Sequence, residues 1–379
     1  ESLRQRLIAF RDEYILPNEA TFRDQVDSGD RWQPVPVIAE LKEKARAAGL
    51  WNLFLPDTEY GAGLTNLEYA PLAEIMGCND WAPEVFNCNA PDTGNMEVLV
   101  RYGSDEQKKQ WLEPLLAGEI RSCFAMTEPG AGSDISGIRA KAVDNGDHFV
   151  LNGSKTFISN GILADLVIVA ARTSTENKHG LSLFVVERGM EGFERGDNFK
   201  KMGLSSQDTA ELFFSKCRIP KENRLGDKGM GFLMLMQKLQ QERLVCAIMA
   251  ATGAERILEW IMDYCKQTSV AGKPLSKSQA VQFALVEMST DIKLGRTFVE
   301  KLVADHIEKK DIIIETSMAK YWTTEMAKRV ADRCLDLVGP HAMPDDHPLS
   351  RAFRDVRVMS IFAGTNEIMK GIAARFMRL

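Results

Sequence analysis

The chain has no surplus of positive charge, no long apolar run and no clustered cysteines, and each absence removes a class of function. Lysine and arginine number 47 against 53 aspartates and glutamates, a net charge of -6. Without a basic excess, nothing points to a nucleic-acid partner. No apolar stretch reaches the roughly 18 residues that a membrane span needs. The seven cysteines, Cys78, Cys88, Cys123, Cys217, Cys246, Cys265 and Cys334, lie scattered with no C-x-x-C spacing. An odd, dispersed set reads as reduced thiols in a reducing compartment, so neither a disulfide framework nor a metal site is expected. No targeting segment, internal repeat or low-complexity stretch is visible. What remains is ordinary in composition: 379 residues, 45% hydrophobic and 26% charged. That is ample for two or three domains around a substantial core.

The periodicity changes twice along the chain. Residues 1–120 read as helices. Leu3, Leu7, Phe10 and Tyr14 form a stripe that should end before Pro17, and Val37, Leu41, Ala45 and Ala48 form another, closed by Gly49. From 121 to 229 the helical period disappears. Asn145-Gly146 is a strong hairpin signal, and Asn152-Gly153 reads as a second turn. Leu166–Ala171, Leu181–Val186 and Ala210–Phe214 are short β-rich runs, so a small barrel or sandwich is expected. From 230 to 379 the pattern is helical again, with long amphipathic segments over Lys277–Lys309 and Ile312–Leu337. Gly339-Pro340 ends the second of them, and a last helix is expected from about Thr365. Long helices with short connections predict an antiparallel bundle. The predicted class is α+β, mainly α: helical domain, β-barrel, helix bundle.

One carboxylate is out of place in this pattern. Phe232, Leu235, Leu239, Glu242, Cys246, Met249 and Gly253 follow each other at steps of three and four, on one face of a helix. Six are apolar or small and one is Glu242. Burying an ionised carboxylate costs several kcal/mol or more unless it is compensated. Periodicity alone leaves two readings open: a residue at the stripe's edge paired with Arg243 or another cation, or a functional acid.

Three further segments carry chemistry. Phe124-Ala125-Met126-Thr127-Glu128-Pro129-Gly130-Ala131-Gly132-Ser133-Asp134 is a Gly-rich loop after a strand. Phe157-Ile158-Ser159-Asn160-Gly161 is a strand ending in an Asn-Gly turn. Ile361-Phe362-Ala363-Gly364-Thr365-Asn366-Glu367-Ile368 places a Gly-Thr start before a helix. Each has a bland reading as a turn or a cap. Together, the first and last resemble the acyl-CoA dehydrogenase family, and the order helices, strands, helices extends that resemblance over nearly the whole chain.

The resemblance implies FAD as cofactor, an acyl-CoA as substrate and an electron-transfer flavoprotein as electron acceptor. It implies that Phe124, Met126 and Thr127 touch the isoalloxazine ring, that Gly132 and Ser133 approach the flavin or the CoA moiety, and that Phe157 packs on the flavin. Ser159 would face the nitrogen that accepts hydride, where a hydrogen bond helps stabilise the reduced ring. Thr365 and Glu367 would lie near the flavin's phosphate and ribityl arm, and Ser133 and Arg243 would contact substrate. In many members the position of Ala363 is the glutamate that takes the substrate's proton. Here it is a methyl group, while the Ala363 N–H still stands ready to donate to the thioester oxygen. In a long-chain and isovaleryl-like subset the base lies instead on the first helix of the bundle, directly before an arginine. Gln241-Glu242-Arg243-Leu244 matches that arrangement, so Glu242 is the expected base, with its pKa raised by burial among Leu239, Cys246 and Met249.

Four positions depart from the family pattern: Thr268 and Ala271 around Gly272-Lys273-Pro274-Leu275, and Asp336 and Pro340 after a long helix. In relatives these positions reach a neighbouring subunit's FAD, and a carboxylate near a pyrophosphate is repulsive. A homotetramer or homodimer is the expected assembly, with a hetero-oligomer as the alternative. A flavin oxidase on the same fold, and a subunit without a complete site of its own, stay open as other functions. The compartment expected is a bacterial cytoplasm, or the mitochondrial matrix if a transit peptide has been removed.

Overall fold

The computed structural model describes residues 2–29, 33–77, 79–174 and 180–379, apart from the side chains of 236–240. Cys78 and the side chain of Leu239 therefore fall outside the described residues. The chain forms two compact units: residues 1–200 with 205–238, and residues 201–204 with 239–379.

The first unit opens with helices α1 (Ser2–Phe10), α2 (Glu19–Ser28), α3 (Pro36–Ala47), α4 (Asn66–Met76), α5 (Ala82–Val85), α6 (Asp92–Tyr102), α7 (Asp105–Gln107) and α8 (Glu113–Ala117). The chain does not break at Pro17. It loosens into a π turn over Arg11–Ile15, tightens into a 3-10 turn over Leu16–Asn18, and re-enters the helix as α2. Proline is tolerated there because it heads a new helical segment, where its missing N–H is no loss. Gly49 closes α3 as expected, left-handed at φ +63°, with its N–H on the Arg46 carbonyl.

Strands follow as β1 (Ser122–Ala125), β2 (Lys141–Asp144), β3 (His148–Ser159), β4 (Leu166–Arg172), β5 (Leu181–Glu187), β6 (Phe193–Arg195), β7 (Thr209–Pro220) and β8 (Arg224–Leu225). They form one eight-stranded sheet in the order β6-β7-β3-β2-β4-β5-β8, with β1 parallel to β4. Both faces of β4 and β5 are covered, so their sequences read as unbroken apolar runs. Leu166, Ile168, Leu183 and Val185 pack with the helical core around Leu99 and Leu112. Their alternates Val167, Val169, Phe184 and Val186 pack with Phe149, Leu151 and Phe214. Asn145-Gly146 makes the β2–β3 hairpin, with Gly146 at φ +91°. Asn152-Gly153 is not a turn. It lies inside β3, where the register with β7 shifts, and a Cβ on Gly153 would stand 2.7 Å from the Ala140 Cα. Glycine here marks a bulge and a close backbone approach.

The second unit holds most of α9 (Gly231–Gln267), then α10 (Gln279–Ile307), α11 (Ile313–Val338), α12 (Pro348–Val356) and α13 (Asn366–Phe376). Small residues let these helices approach closely: Ala250, Ala251 and Ala254 of α9 share a core with Met288 and Ile292 of α10 and Met326, Ala327 and Val330 of α11. Residues 201–204 join this unit, with the Leu204 N–H on Asp355 Oδ1 at 2.6 Å. No helix among the described residues is long and apolar enough to cross a membrane. The six described cysteines are free and buried.

Candidate active site

In the first unit, β1 leads directly into the Met126–Asp134 loop. Glu128 and Ala131 exchange both backbone hydrogen bonds at 3.0 Å, closing a tight turn over Pro129-Gly130. The Glu128 side chain turns inward, 7% exposed, and accepts from the Arg139 N–H at 2.7 Å and the Ala140 N–H at 2.9 Å. Its third partner is the fully buried ammonium of Lys155 on β3, at 2.8 Å. The same ammonium donates to the Met126 carbonyl at 2.9 Å. The Thr156 N–H donates to the Thr127 carbonyl, also at 2.9 Å. The loop is thus stitched to β3 at two successive carbonyls. Burial depresses the Lys155 ammonium, and Glu128 opposes that shift.

Two residues on, β3 bulges between Lys155 and Ile158, and Phe157 takes a left-handed φ of +56°. Phe157 is 69% exposed, and its ring meets Phe199 edge-on at 5.3 Å. A bulky residue held at positive φ is a strained conformation, which clusters at functional sites. Strain that leaves an aromatic ring bare does not serve the core. Ser159 ends the strand opposite Thr209, and buried Asn160 anchors the following turn through Asp92 and the Ser122 carbonyl, both at 3.0 Å. Phe124, Met126 and Thr127 are half-buried, and Gly132 and Ser133 are exposed.

In the second unit, α9 carries Glu242 and Arg243. The expected stripe is corrected here. Met249 is 47% exposed, and the buried ridge runs instead through Leu244, Ala247, Ala251, Ala254, Leu258, Ile261 and Cys265. That face is built largely of alanines, Ala247, Ala251 and Ala254, whose small side chains give only a weak hydrophobic period. Glu242 is half-buried at the ridge's margin, not enclosed by Met249. Cys246, one turn on, is buried, and burial pushes its thiol up to about 12, with the Glu242 carboxylate adding to the shift and Lys320 opposing it. Arg243 is 8% exposed, its Nε meets no hydrogen-bond partner, and burial alone lowers its guanidinium pKa.

The Arg243 guanidinium lies beside the last motif. Its Nη2 is 3.9 Å from where a Cβ on Gly364 would stand. Ala363 and Gly364 are both left-handed, at φ +54° and +94°. This elbow follows a helical turn whose Val358 carbonyl accepts from the Ile361 and Phe362 N–H groups. The Ala363 N–H has no backbone acceptor among the described residues. Thr365 then caps α13 by accepting from the Ile368 N–H at 3.3 Å, and Glu367 is exposed in the first turn. Backbone donation at the helix start lowers the Glu367 pKa. The cap reading therefore accounts for the local structure of both residues.

Three family models match the chain in sequence: the acyl-CoA dehydrogenase N-terminal domain over residues 1–119, the middle domain over 123–217 and the C-terminal domain over 229–378. The chain belongs to the acyl-CoA dehydrogenase family. Among acyl-CoA dehydrogenases, the mitochondrial long-chain specific enzyme of Sus scrofa is 38% identical over 382 residues, covering 98% of this chain and 85% of that protein. The solved acyl-CoA dehydrogenase from Geobacillus kaustophilus superposes with a TM-score of 0.88 at 40% identity, over 99% of this chain and 97% of that one. The FAD complex of PigA superposes with a TM-score of 0.88 at 26% identity, over 100% and 97%.

Sequence reasoning missed Lys155, Glu128 as an inward-turned acid, Lys320 and the buried role of Asn366. For Lys320 a signal was present. It is flanked at helical spacing by Thr316, Thr323, Thr324 and Ala327, a stripe of small residues that marks an inward face.

Proposed function

We propose that the chain is a FAD-dependent dehydrogenase that converts an acyl-CoA thioester to its trans-2-enoyl-CoA and passes the electrons to an electron-transfer flavoprotein. The observation that carries this reading is the approach of Arg243 to the Ala363–Gly364 elbow. It joins the helix bearing Glu242 to a backbone N–H that is free to donate, at a position whose own side chain takes no proton. Glu242 is the base for the α-proton, and the Ala363 N–H donates to the thioester oxygen, which acidifies the α-carbon. Arg243 and Ser133 are the substrate contacts. A backbone donor survives any side-chain replacement, so alanine at 363 removes a base there without removing the oxyanion stabiliser.

The residues present fit a flavin. Phe157 offers a bare ring, and Ser133 and Ser159 supply hydroxyls. A Cβ on Gly130 would meet nothing within 4 Å, and one on Gly132 only the Thr127 methyl at 4.0 Å. A planar heterocycle with donor and acceptor edges calls for such a set. Phe124, Met126, Thr127, Gly132, Ser133, Phe157, Ser159, Thr365 and Glu367 would hold FAD. When bound, FAD supplies the acceptor for the hydride leaving the β-carbon. Ser159→Ala is expected to lower the flavin reduction potential with the fold intact, since a small hydroxyl at a strand end is lost. Potentiometric titration of the purified variant checks this, and an unchanged potential overturns the Ser159 assignment.

Assembly as a homotetramer or homodimer belongs to the same reading. Phe283, Val286 and Leu294 stand exposed along α10, and the Thr290 and Thr297 hydroxyls turn back onto carbonyls of their own helix, which leaves an apolar face. Thr268 and Ala271 belong to a small hairpin, with Ala271 at φ +50°, and Asp336 and Pro340 are exposed. Light scattering with flavin quantification on the purified chain is expected to give a homo-oligomer with one FAD per chain. A colourless preparation would favour a partner chain that completes the site.

A further inference from the structure

We propose that Lys320 is a positioning residue, whose buried ammonium holds the Ala363–Gly364 elbow so that the Ala363 N–H is aimed at the thioester oxygen. The inference rests on the proposed dehydrogenase reading. Lys320 lies on α11 with its side chain fully buried. Its Nζ donates to the Gly364 carbonyl at 2.7 Å and to Asn366 Oδ1 at 3.2 Å. Asn366, 2% exposed, is itself fixed, with its Nδ2 donating to Glu325 Oε1 at 2.8 Å and to Thr324 Oγ1 at 3.0 Å.

The energetics argue that this ammonium is not there for packing. Burying a charge costs several kcal/mol, and an apolar residue of similar volume often does as well or better. Neither acceptor of Lys320 is a carboxylate. Burial depresses its ammonium, Cys246, Glu367 and Glu325 raise it, and the nearby Arg243 guanidinium lowers it further. Two like charges held near one elbow make a poor structural device. What the ammonium does accomplish is geometric. The N-terminal side of the elbow is tied to the Val358 carbonyl, and Lys320 ties the C-terminal side. Between them stand two successive left-handed residues, a conformation that glycine takes freely at 364 but that the Cβ of Ala363 disfavours. Fixing both sides leaves the Ala363 peptide one orientation, which is what a preorganised oxyanion donor requires.

The test uses the FAD-loaded chain and acetoacetyl-CoA, a thioester with an acidic α-carbon. The enolate of the bound ligand is read by ultraviolet absorbance as a function of pH. Wild type should favour the enolate over the free ligand. Lys320→Met should weaken that preference by on the order of tenfold, less than the 10²–10³ seen when an oxyanion donor is deleted outright. Flavin content and melting temperature, followed alongside, should change little. An unchanged enolate fraction in folded Lys320→Met overturns the proposal. If that variant does not fold, Asn366→Ala decides, because it removes one acceptor of the ammonium. A shift in the same direction supports the clamp and no shift overturns it. Failure of wild type to favour the enolate would instead refute the Ala363 donor, and with it the underlying reading.

Discussion

Glu242→Gln should retain the fold and bound FAD yet slow flavin reduction by acyl-CoA by roughly 10²–10⁴, the usual loss when a positioned base is removed. The amide keeps the shape and hydrogen-bonding size of the acid, and Glu242 is only half-buried, so the structural disturbance is small. The barrier increase corresponds to roughly 3–5 kcal/mol, far beyond what such a surface-margin exchange does to stability. Anaerobic stopped-flow bleaching of the flavin measures it, and a rate within a few-fold of wild type refutes the assignment. A companion variant, Glu242→Ala with Ala363→Glu, tests whether position 363 also commands the α-carbon. Ala363 already carries a Cβ at φ +54°, so glutamate there adds little backbone strain to what the chain bears now. Partial recovery of bleaching is the expected result.

The sequence carried the architecture well where periodicity was long. The segments read over 277–309 and 312–337 are the helices Gln279–Ile307 and Ile313–Val338, shifted by one or two residues at their ends. Asn145-Gly146 was legible because a two-residue signal decides a hairpin locally. Asn152-Gly153 misled for the same reason: the dipeptide is identical in kind, and only the register shift against β7 and the close approach of Ala140, the residue before β2, show a bulge there. Pro348–Val356 is too short a helix to announce itself by period. The loop and elbow motifs were legible through resemblance, but what holds them was not. Lys155 meets Glu128 across 27 residues, and Lys320 meets Gly364 across 44. No local pattern records such pairings. Lys155 reads as solvent-facing until the fold shows what surrounds it, and the small-residue stripe around Lys320 gives its inward face but not its partner.

Lys155→Met should be among the most destabilising single changes in the first unit. The exchange leaves Glu128 buried, still accepting from the Arg139 and Ala140 N–H groups but without its cation. Breaking a buried pair from one side costs about 3–5 kcal/mol, because an uncompensated charge remains. At about 2–4 °C per kcal/mol for a unit of this size, the melting temperature should fall by roughly 6–20 °C. The double variant Lys155→Met with Glu128→Gln removes both charges and should recover most of the loss, since the coupling lies between the two groups. Function should report separately from stability. The Met126 carbonyl loses its donor in both variants, so the loop that runs from Met126 to Ser133 is loosened even where the charge imbalance is relieved. The double variant is therefore expected to melt near wild type and yet retain less FAD after gel filtration. Calorimetry and flavin absorbance on the same samples separate the two effects. A double variant that melts as low as the single one would mean that the ammonium's hydrogen bond to Met126, and not its charge, stabilises this unit.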